Sequence, residues 1–212
     1  MKIIPSLRTH TLPWLFAVAL ILAPGCSLKK AYPAKSTFAL EAIRGETAAR
    51  ASSTVVLRVR PFTAMAPFDE RVFCSRIDDV RFETDFYSEF VSTPRTLIGD
   101  QTRLWLQSAG RFGAVLEPAS KAEATHILEG SVTALYADLR DAAAPKAVVE
   151  LRLLLLKDSS ASPEIVLNKT YRQAVPLENH QPAKLAVGWS KGLAQILTAL
   201  EQDLAAKLSA PR

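Results

Sequence analysis

Cysteine, histidine and glycine are scarce in this chain. It contains 2 cysteines, 3 histidines and 8 glycines among 212 residues. The cysteines lie too far apart in sequence for the Cys-x-x-Cys spacing of a zinc site, and no phosphate-binding glycine loop, nucleophile elbow or His-Glu-x-x-His motif occurs. The residues therefore predict no catalytic site, no metal site and no cofactor, and we expect the protein not to be an enzyme.

A strong excess of one charge is also lacking. The formal net charge of the whole chain is +5. Lys2 and Arg8 lie in a segment that we expect to be removed, which leaves 24 basic and 21 acidic residues, or +3. The basic residues are scattered as well, so we expect a solvated surface and no nucleic-acid partner.

No apolar run is long enough for an ordinary transmembrane helix. The longest, Leu12–Ala23, has 12 residues, whereas a spanning helix needs about 20. It follows a short basic segment without acidic residues, which is the layout of a signal peptide. We therefore expect residues 1–25 to be an export signal.

The end of this run resembles the lipobox of bacterial lipoproteins. Small residues, Pro24 and Gly25, come directly before Cys26, although Ala23 stands where leucine is most common. We predict cleavage before Cys26 and lipidation of its thiol, which adds a diacylglyceryl group and fatty acyl chains such as palmitate. An ordinary signal peptide or a membrane anchor with a chance cysteine is the alternative.

Lipidation at Cys26 has consequences for the residues around it. Residues 26–35 are mostly polar and are interpreted as a short lipidated tether. Ser27 follows the cysteine, where an aspartate resembles an inner-membrane retention signal in enterobacteria. We therefore expect the protein to be anchored in the outer membrane, facing the periplasm.

Four other groups were considered as sites. With Cys26 lipidated, Cys74 has no intrachain partner, and its apolar neighbours predict a buried, inert thiol. His126 opens a predicted strand and His180 precedes a predicted helix, where structural roles are expected. The acidic pair Asp78-Asp79 is expected to form a solvated turn. The segment Asp138-Leu139-Arg140-Asp141 is interpreted as a second turn.

Apolar periodicity predicts the elements of one domain over residues 36–212. Alternation favours strands, and the Thr125–Ala137 strand is expected to turn Leu128, Val132, Ala134 and Tyr136 to one face. The predicted strands cover residues 36–43, 54–60, 71–77, 80–87, 125–137, 147–156 and 165–175, with a short apolar stretch at 112–116.

Two helices are predicted by their ends and their apolar stripes. The first begins at Ser92-Thr93-Pro94, a hydroxyl N-cap followed by proline, and ends at Gly110. The second follows Pro182 and is about 27 residues long. Its apolar stripe contains Leu185, Trp189, Leu193, Ile196, Leu200, Leu204 and Leu208. We predict an α+β fold, a mostly antiparallel sheet packed on one face by two main helices, the longer one C-terminal.

The order of these features resembles a known family. The lipobox is followed by strands at Phe38-Ala39-Leu40, Val55–Arg60 and Arg71–Arg76, then by the helix from Thr93-Pro94. The Thr125–Asp138, Ala147–Leu156 and Lys169-Thr170-Tyr171 strands and the terminal helix complete it. Over residues 36–208 this layout resembles the ABC-type transport auxiliary lipoprotein component family, the PqiC-like lipoproteins.

The resemblance implies a role in lipid transport. Members of the family are outer-membrane-anchored partners of MCE proteins, which carry lipids between the two membranes together with an ABC transporter or a related permease. The protein would then be a non-catalytic subunit that docks on, or completes, the trans-envelope conduit. A homo-oligomeric ring is compatible with this role.

Two alternatives remain open from the residues. The protein could be a stand-alone envelope lipoprotein that supports a secretion or cell-wall assembly machine. It could also carry lipid itself, in a cavity lined by the apolar run Val148–Leu156, although a core strand explains that run equally well. Phe62, Phe68 and Phe86 are candidate exposed positions of an interface.

Overall fold

The computed structural model of the protein describes residues 34–45, 53–158 and 162–209. Nine strands and two helices lie within these residues, and all belong to one compact unit that begins at residue 34. The strands are β1 (Ser36–Phe38), β2 (Val56–Val59), β3 (Thr63–Ala64), β4 (Val72–Arg76), β5 (Phe82–Phe90), β6 (Ala114–Leu116), β7 (His126–Asp138), β8 (Lys146–Lys157) and β9 (Glu164–Pro176). The helices are α1 (Pro94–Ser108) and α2 (Pro182–Ser209).

Strand β7 forms the centre of the sheet. One of its edges pairs antiparallel with β8, and β8 pairs antiparallel with β9. The other edge pairs in parallel with three short strands in succession, β2, β3 and β4. Strand β4 forms an antiparallel hairpin with β5, β1 pairs with β5 in parallel, and β6 pairs with β2 in parallel. Because the long pairings are antiparallel and the longer helix is C-terminal, the predicted fold class is confirmed.

Helix α2 packs on β8 and β9 through its predicted apolar stripe. Six of the seven stripe residues are buried, and Leu208 packs at the margin of the core. Gly188 and Gly192 lie on the same side of the helix. A Cβ atom at Gly188 would lie 2.7 Å from the Cβ of Ala147, so the absence of a side chain lets the helix approach β8 closely.

Helix α1 begins and ends where the sequence predicts. Thr93 is the N-cap residue and Pro94 follows it, but the Thr93 hydroxyl lies 2.9 Å from the Thr96 hydroxyl and does not cap the helix. Gly110 closes the helix with a φ of 65°, a conformation that glycine adopts without strain. Leu104 of this helix is 48% exposed, although its side chain is apolar.

A β-bulge changes the faces of β7 midway. The register with β8 shifts between Val132 and Ala134, which inserts one extra residue into β7. Leu128 and Val132 therefore pack in the main core, whereas Ala134 and Tyr136 lie in a small second cluster on the opposite face. The prediction that these four side chains share one face was wrong, because strict alternation holds only in a continuous ladder.

The predicted first strand is shorter than expected. Pairing with β5 stops at Phe38, but the chain stays extended, and Leu40 is almost fully buried. The backbone N–H of Glu41 then donates to the Ser190 hydroxyl, and that of Ala42 to the Gln101 side-chain carbonyl. Because α1 and α2 provide these acceptors, alternating burial continues after the strand has ended.

Strand β8 packs into the core on its helix side. Val149, Leu151, Leu153 and Leu155 are all fully buried and belong to the core shared with the two helices. The residues between them face the opposite side of the sheet, where Arg152 is exposed. The apolar run Val148–Leu156 is therefore a core strand.

Candidate functional site

The predicted lipidation site lies outside the described residues. This applies to Cys26, to the signal peptide over 1–25 and to the tether up to residue 33. The described chain begins with the end of the tether, Ala34 and Lys35, both exposed. None of the described helices is both long enough and apolar enough to span a bilayer.

Cys74 is buried in β4, as predicted. It packs with Ala134, Tyr136 and Val148 in the second cluster. Burial raises the pKa of its thiol above the ordinary value, because an apolar environment disfavours the thiolate. This thiol is therefore protonated at neutral pH and shielded from reagents.

The two predicted histidines differ in burial. His126 is buried at the start of β7, and its Nδ1 atom lies 2.9 Å from the Thr125 hydroxyl. His180 is exposed in the connection that leads into α2. Among the described residues, no group of three or more histidine, cysteine, aspartate and glutamate side chains is placed to hold a metal ion.

The two predicted acidic turns lie against each other. Arg140 bonds Asp138 in its own turn at 2.8 Å and Asp79 in the β4–β5 turn at 3.0 Å. Backbone hydrogen bonds lower the pKa of Asp78, and the side-chain bond from Arg140 lowers that of Asp138. One guanidinium therefore links Asp79 with Asp138, an arrangement that joins two turns rather than one suited to proton transfer.

The three phenylalanines proposed for an interface differ in exposure. Phe62 is buried, with only 4% of its surface exposed, so the prediction that it is an exposed interface residue was wrong. Phe68 is half-buried, and its ring stacks on Tyr136 with the centroids 5.8 Å apart. Phe86 is 65% exposed, as an interface residue should be.

Phe86 and Tyr87 lie in a break of the β4–β5 ladder. Val72 pairs with Glu89 but the next residue, Phe73, pairs with Asp85, so the three β5 residues in between have no partner on β4. The rings of Phe86 and Tyr87 are edge to face, with the centroids 5.5 Å apart.

Lys35 completes this exposed aromatic patch. Its Nζ atom lies 4.4 Å from the centroid of the Phe86 ring and 3.7 Å from the Glu89 carboxylate. We call Lys35, Phe86 and Tyr87 the bulge surface. Regular alternation would turn adjacent side chains to opposite faces of the strand. The two rings meet because the ladder is broken here, so alternation in the sequence could not place Tyr87 beside Phe86.

Comparison with known proteins identifies the fold. No family model and no curated protein matches the chain. The structure is similar to a Xanthomonas campestris protein of family DUF330, with a TM-score of 0.68 and 20% identity over 81% of this chain and 96% of that one.

Two further solved structures are similar. An uncharacterized protein has a TM-score of 0.59 and 11% identity over 81% of this chain and 99% of its own. A hypothetical protein of Chlamydia trachomatis has a TM-score of 0.50 and 9% identity over 73% of this chain and 95% of its own. At such identities, these likenesses establish a shared fold and leave function open.

Proposed function

We propose that this protein is a non-catalytic auxiliary subunit of an MCE/ABC-type lipid transport system. In this proposal it is a lipoprotein that Cys26 anchors in the outer membrane, and its domain faces the periplasm. The observation that carries the proposal is the layout on which the family resemblance rests. The strands, the helix that ends at Gly110, the long β7–β8–β9 meander and the terminal helix occur in that order.

The proposed docking role is supported by the surface of the domain. The bulge surface presents two aromatic rings to solvent beside residue 35, where the predicted tether ends. Aromatic side chains contribute strongly to protein interfaces because they bury a large area at a small entropic cost. A lipid tether would raise the local concentration of this surface near a partner in the same envelope.

The experiment is affinity purification of the lipidated protein from its own envelope, followed by identification of the recovered proteins. The double variant Phe86→Ser, Tyr87→Ser tests the docking surface. Ile165→Ser is the matched control, because Ile165 is also exposed, at 62%, on a strand at the far edge of the sheet. We expect the native protein and the control to recover an MCE protein and permease subunits, and the double variant to lose them.

Other outcomes have a definite meaning. Recovery of cell-wall or secretion components alone, at good bait yield, would overturn the transport role in favour of a stand-alone envelope lipoprotein. Recovery of the MCE protein by the double variant at native yield would leave the transport role standing and exclude the bulge surface as the contact.

A further inference from the structure

A cavity of about 240 Å³ lies between helix α1 and the segment that links β2 to β3. Three arginines line it, Arg60 from the end of β2 and Arg95 and Arg103 from α1. Thr96 and Asp100 add polar groups from the same helix. The cavity is separate from the bulge surface, and none of the sequence patterns pointed to it.

The local sequence explains why this space is open. Residues 96, 99, 100 and 103 are spaced by three and four positions, so they share one face of α1. The residue at the centre of this face is Gly99, which has no side chain to fill the space. The buried Phe62 ring packs beneath it, with its nearest atom 3.6 Å from where a Gly99 Cβ would be. Val59 and Pro61 extend this apolar floor.

Each of the three guanidinium groups forms an ion pair through only some of its N–H donors. Arg60 pairs with Glu129 at 2.5 Å, Arg95 with Asp69 at 2.5 Å and Arg103 with Glu117 at 2.7 Å. Each of these contacts uses a single terminal nitrogen, whereas a guanidinium carries five N–H donors. The three carboxylates are not part of the cavity lining. The lining itself contains three guanidinium groups and one carboxylate, and the three partner carboxylates lie beside it.

Arg103 adds a donor without an acceptor. Its Nε atom is buried and has no hydrogen-bond partner. A buried donor left in this state is unfavourable, because it has lost its hydrogen bonds to water and has gained none in the protein. Because this atom is closed to solvent, an acceptor in the cavity would reach it only after a turn of the Arg103 side chain.

We propose that this cavity binds a phosphate group. A carboxylate is satisfied by one bidentate arginine, whereas a phosphate offers more oxygens and up to two charges, which suits three guanidiniums around one space. The apolar floor of Val59, Pro61 and Phe62 would contact carbon atoms attached to that phosphate. Free phosphate and the headgroup of a phospholipid share this chemistry, and the measurement below separates them.

The test is isothermal titration calorimetry on the full chain, purified from its envelope in detergent. Inorganic phosphate is one probe, and a water-soluble short-chain phosphatidic acid, dihexanoylphosphatidic acid, is the other. We expect binding that weakens as salt rises, because the contacts are between charges. A headgroup site binds the lipid at least about tenfold more tightly than phosphate, whereas a site for free phosphate binds both probes equally or phosphate better.

Variants with opposite expected effects guard against misfolding. Arg95→Gln together with Arg103→Gln should weaken binding by at least about tenfold, because it removes two charge-assisted donors. Asp100→Asn should tighten it severalfold, because it removes the negative charge from the lining, and a misfolded protein would not gain affinity. Arg81→Gln is the control, an exposed arginine with carboxylate neighbours in the β4–β5 turn. Absence of binding for both probes, or native affinity in all the cavity variants, would overturn the proposal.

Discussion

Glu201 shows how one buried charge can hold several parts of the molecule together. It lies on α2 and is only 8% exposed. Its carboxylate accepts hydrogen bonds from Arg44 at 3.1 Å, from the Trp105 indole at 3.1 Å and from Arg111 at 3.0 Å. The segment after β1, helix α1 and the segment after α1 are thereby joined to α2.

The sequence alone does not single out Glu201, because it lies beside the apolar stripe of the terminal helix rather than on it. The apolar stripe of an amphipathic helix predicts which residues face the core. It does not reveal that two arginines and an indole, distant in sequence, meet a carboxylate near the margin of that stripe. The stripe itself was predicted correctly because it depends on spacing within one element.

We predict that Glu201→Gln lowers the free energy of unfolding by about 2–3 kcal/mol at pH 7, because hydrogen bonds to a buried charge are lost. Burial acts to raise the pKa of Glu201, but the bonds from Arg44 and Arg111 outweigh it and the pKa is lowered. A carboxyl group whose pKa is lower in the folded than in the unfolded protein stabilises the fold at pH values above its unfolded-state pKa, which is about 4.3 for glutamate. This stabilisation is lost as the pH falls through the folded-state pKa.

The measurement is urea denaturation of both proteins between pH 7 and pH 3. The difference in unfolding free energy between them should shrink as the pH falls below the ordinary glutamate range. Glu178→Gln is the matched control, since Glu178 pairs with Lys184 but is 80% exposed, and it should change stability by less than about 1 kcal/mol. A Glu201→Gln difference that stays constant over the whole pH range would contradict this account.

At the scale of the elements, most strands and both helices could be predicted from local patterns. The bounds of β8 and β9 agree with the predicted 147–156 and 165–175 to within one residue at each end. Strand β3, the bulge in β7 and the ladder break in β5 could not be predicted. Each of them depends on the register between strands, which a single strand's own sequence does not specify.

Close packing between α2 and the sheet gives a prediction for Gly188. A Cβ atom there would lie 2.7 Å from both the Ala147 Cβ and a Leu177 methyl group, so one of these neighbours must move. We expect Gly188→Ala to lower the free energy of unfolding by about 1–3 kcal/mol, although alanine favours a helix.

Gly99→Ala is the matched control for this substitution. It is also a helical glycine, but the nearest atom to its Cβ position is at 3.6 Å, an ordinary contact distance. Here the helix preference of alanine should raise stability by up to about 1 kcal/mol. Thermal or urea unfolding of both variants gives the comparison, and a stabilised Gly188→Ala protein would show that the helix does not need this close approach.

At the scale of the whole molecule, the proposed membrane attachment depends on Cys26. We predict that the native protein and a Cys74→Ser variant incorporate radiolabelled palmitate in cells, whereas Cys26→Ser does not. Cys26→Ser should also keep residues 1–25, because cleavage follows lipidation in the lipoprotein pathway. Gel autoradiography detects the label, and intact mass spectrometry shows both the added lipid mass and whether residues 1–25 are retained. Label on the Cys26→Ser protein, or a mature chain that begins at another residue, would contradict the assignment.

The parallel pairings of β7 also determine the order in which the domain can assemble. Among the described strands, β2 pairs with β6 and β7, and β3 pairs with β7. These partners come much later in the chain, since Val56 pairs with Ala114 and Thr63 with Ser131. Pairings of this kind are slow to form, because a long loop must close before any contact compensates for it. When the chain folds from its N-terminus, the apolar strands of its first half therefore stay without their partners until residue 138 is present, and unpaired strand edges of this kind favour aggregation.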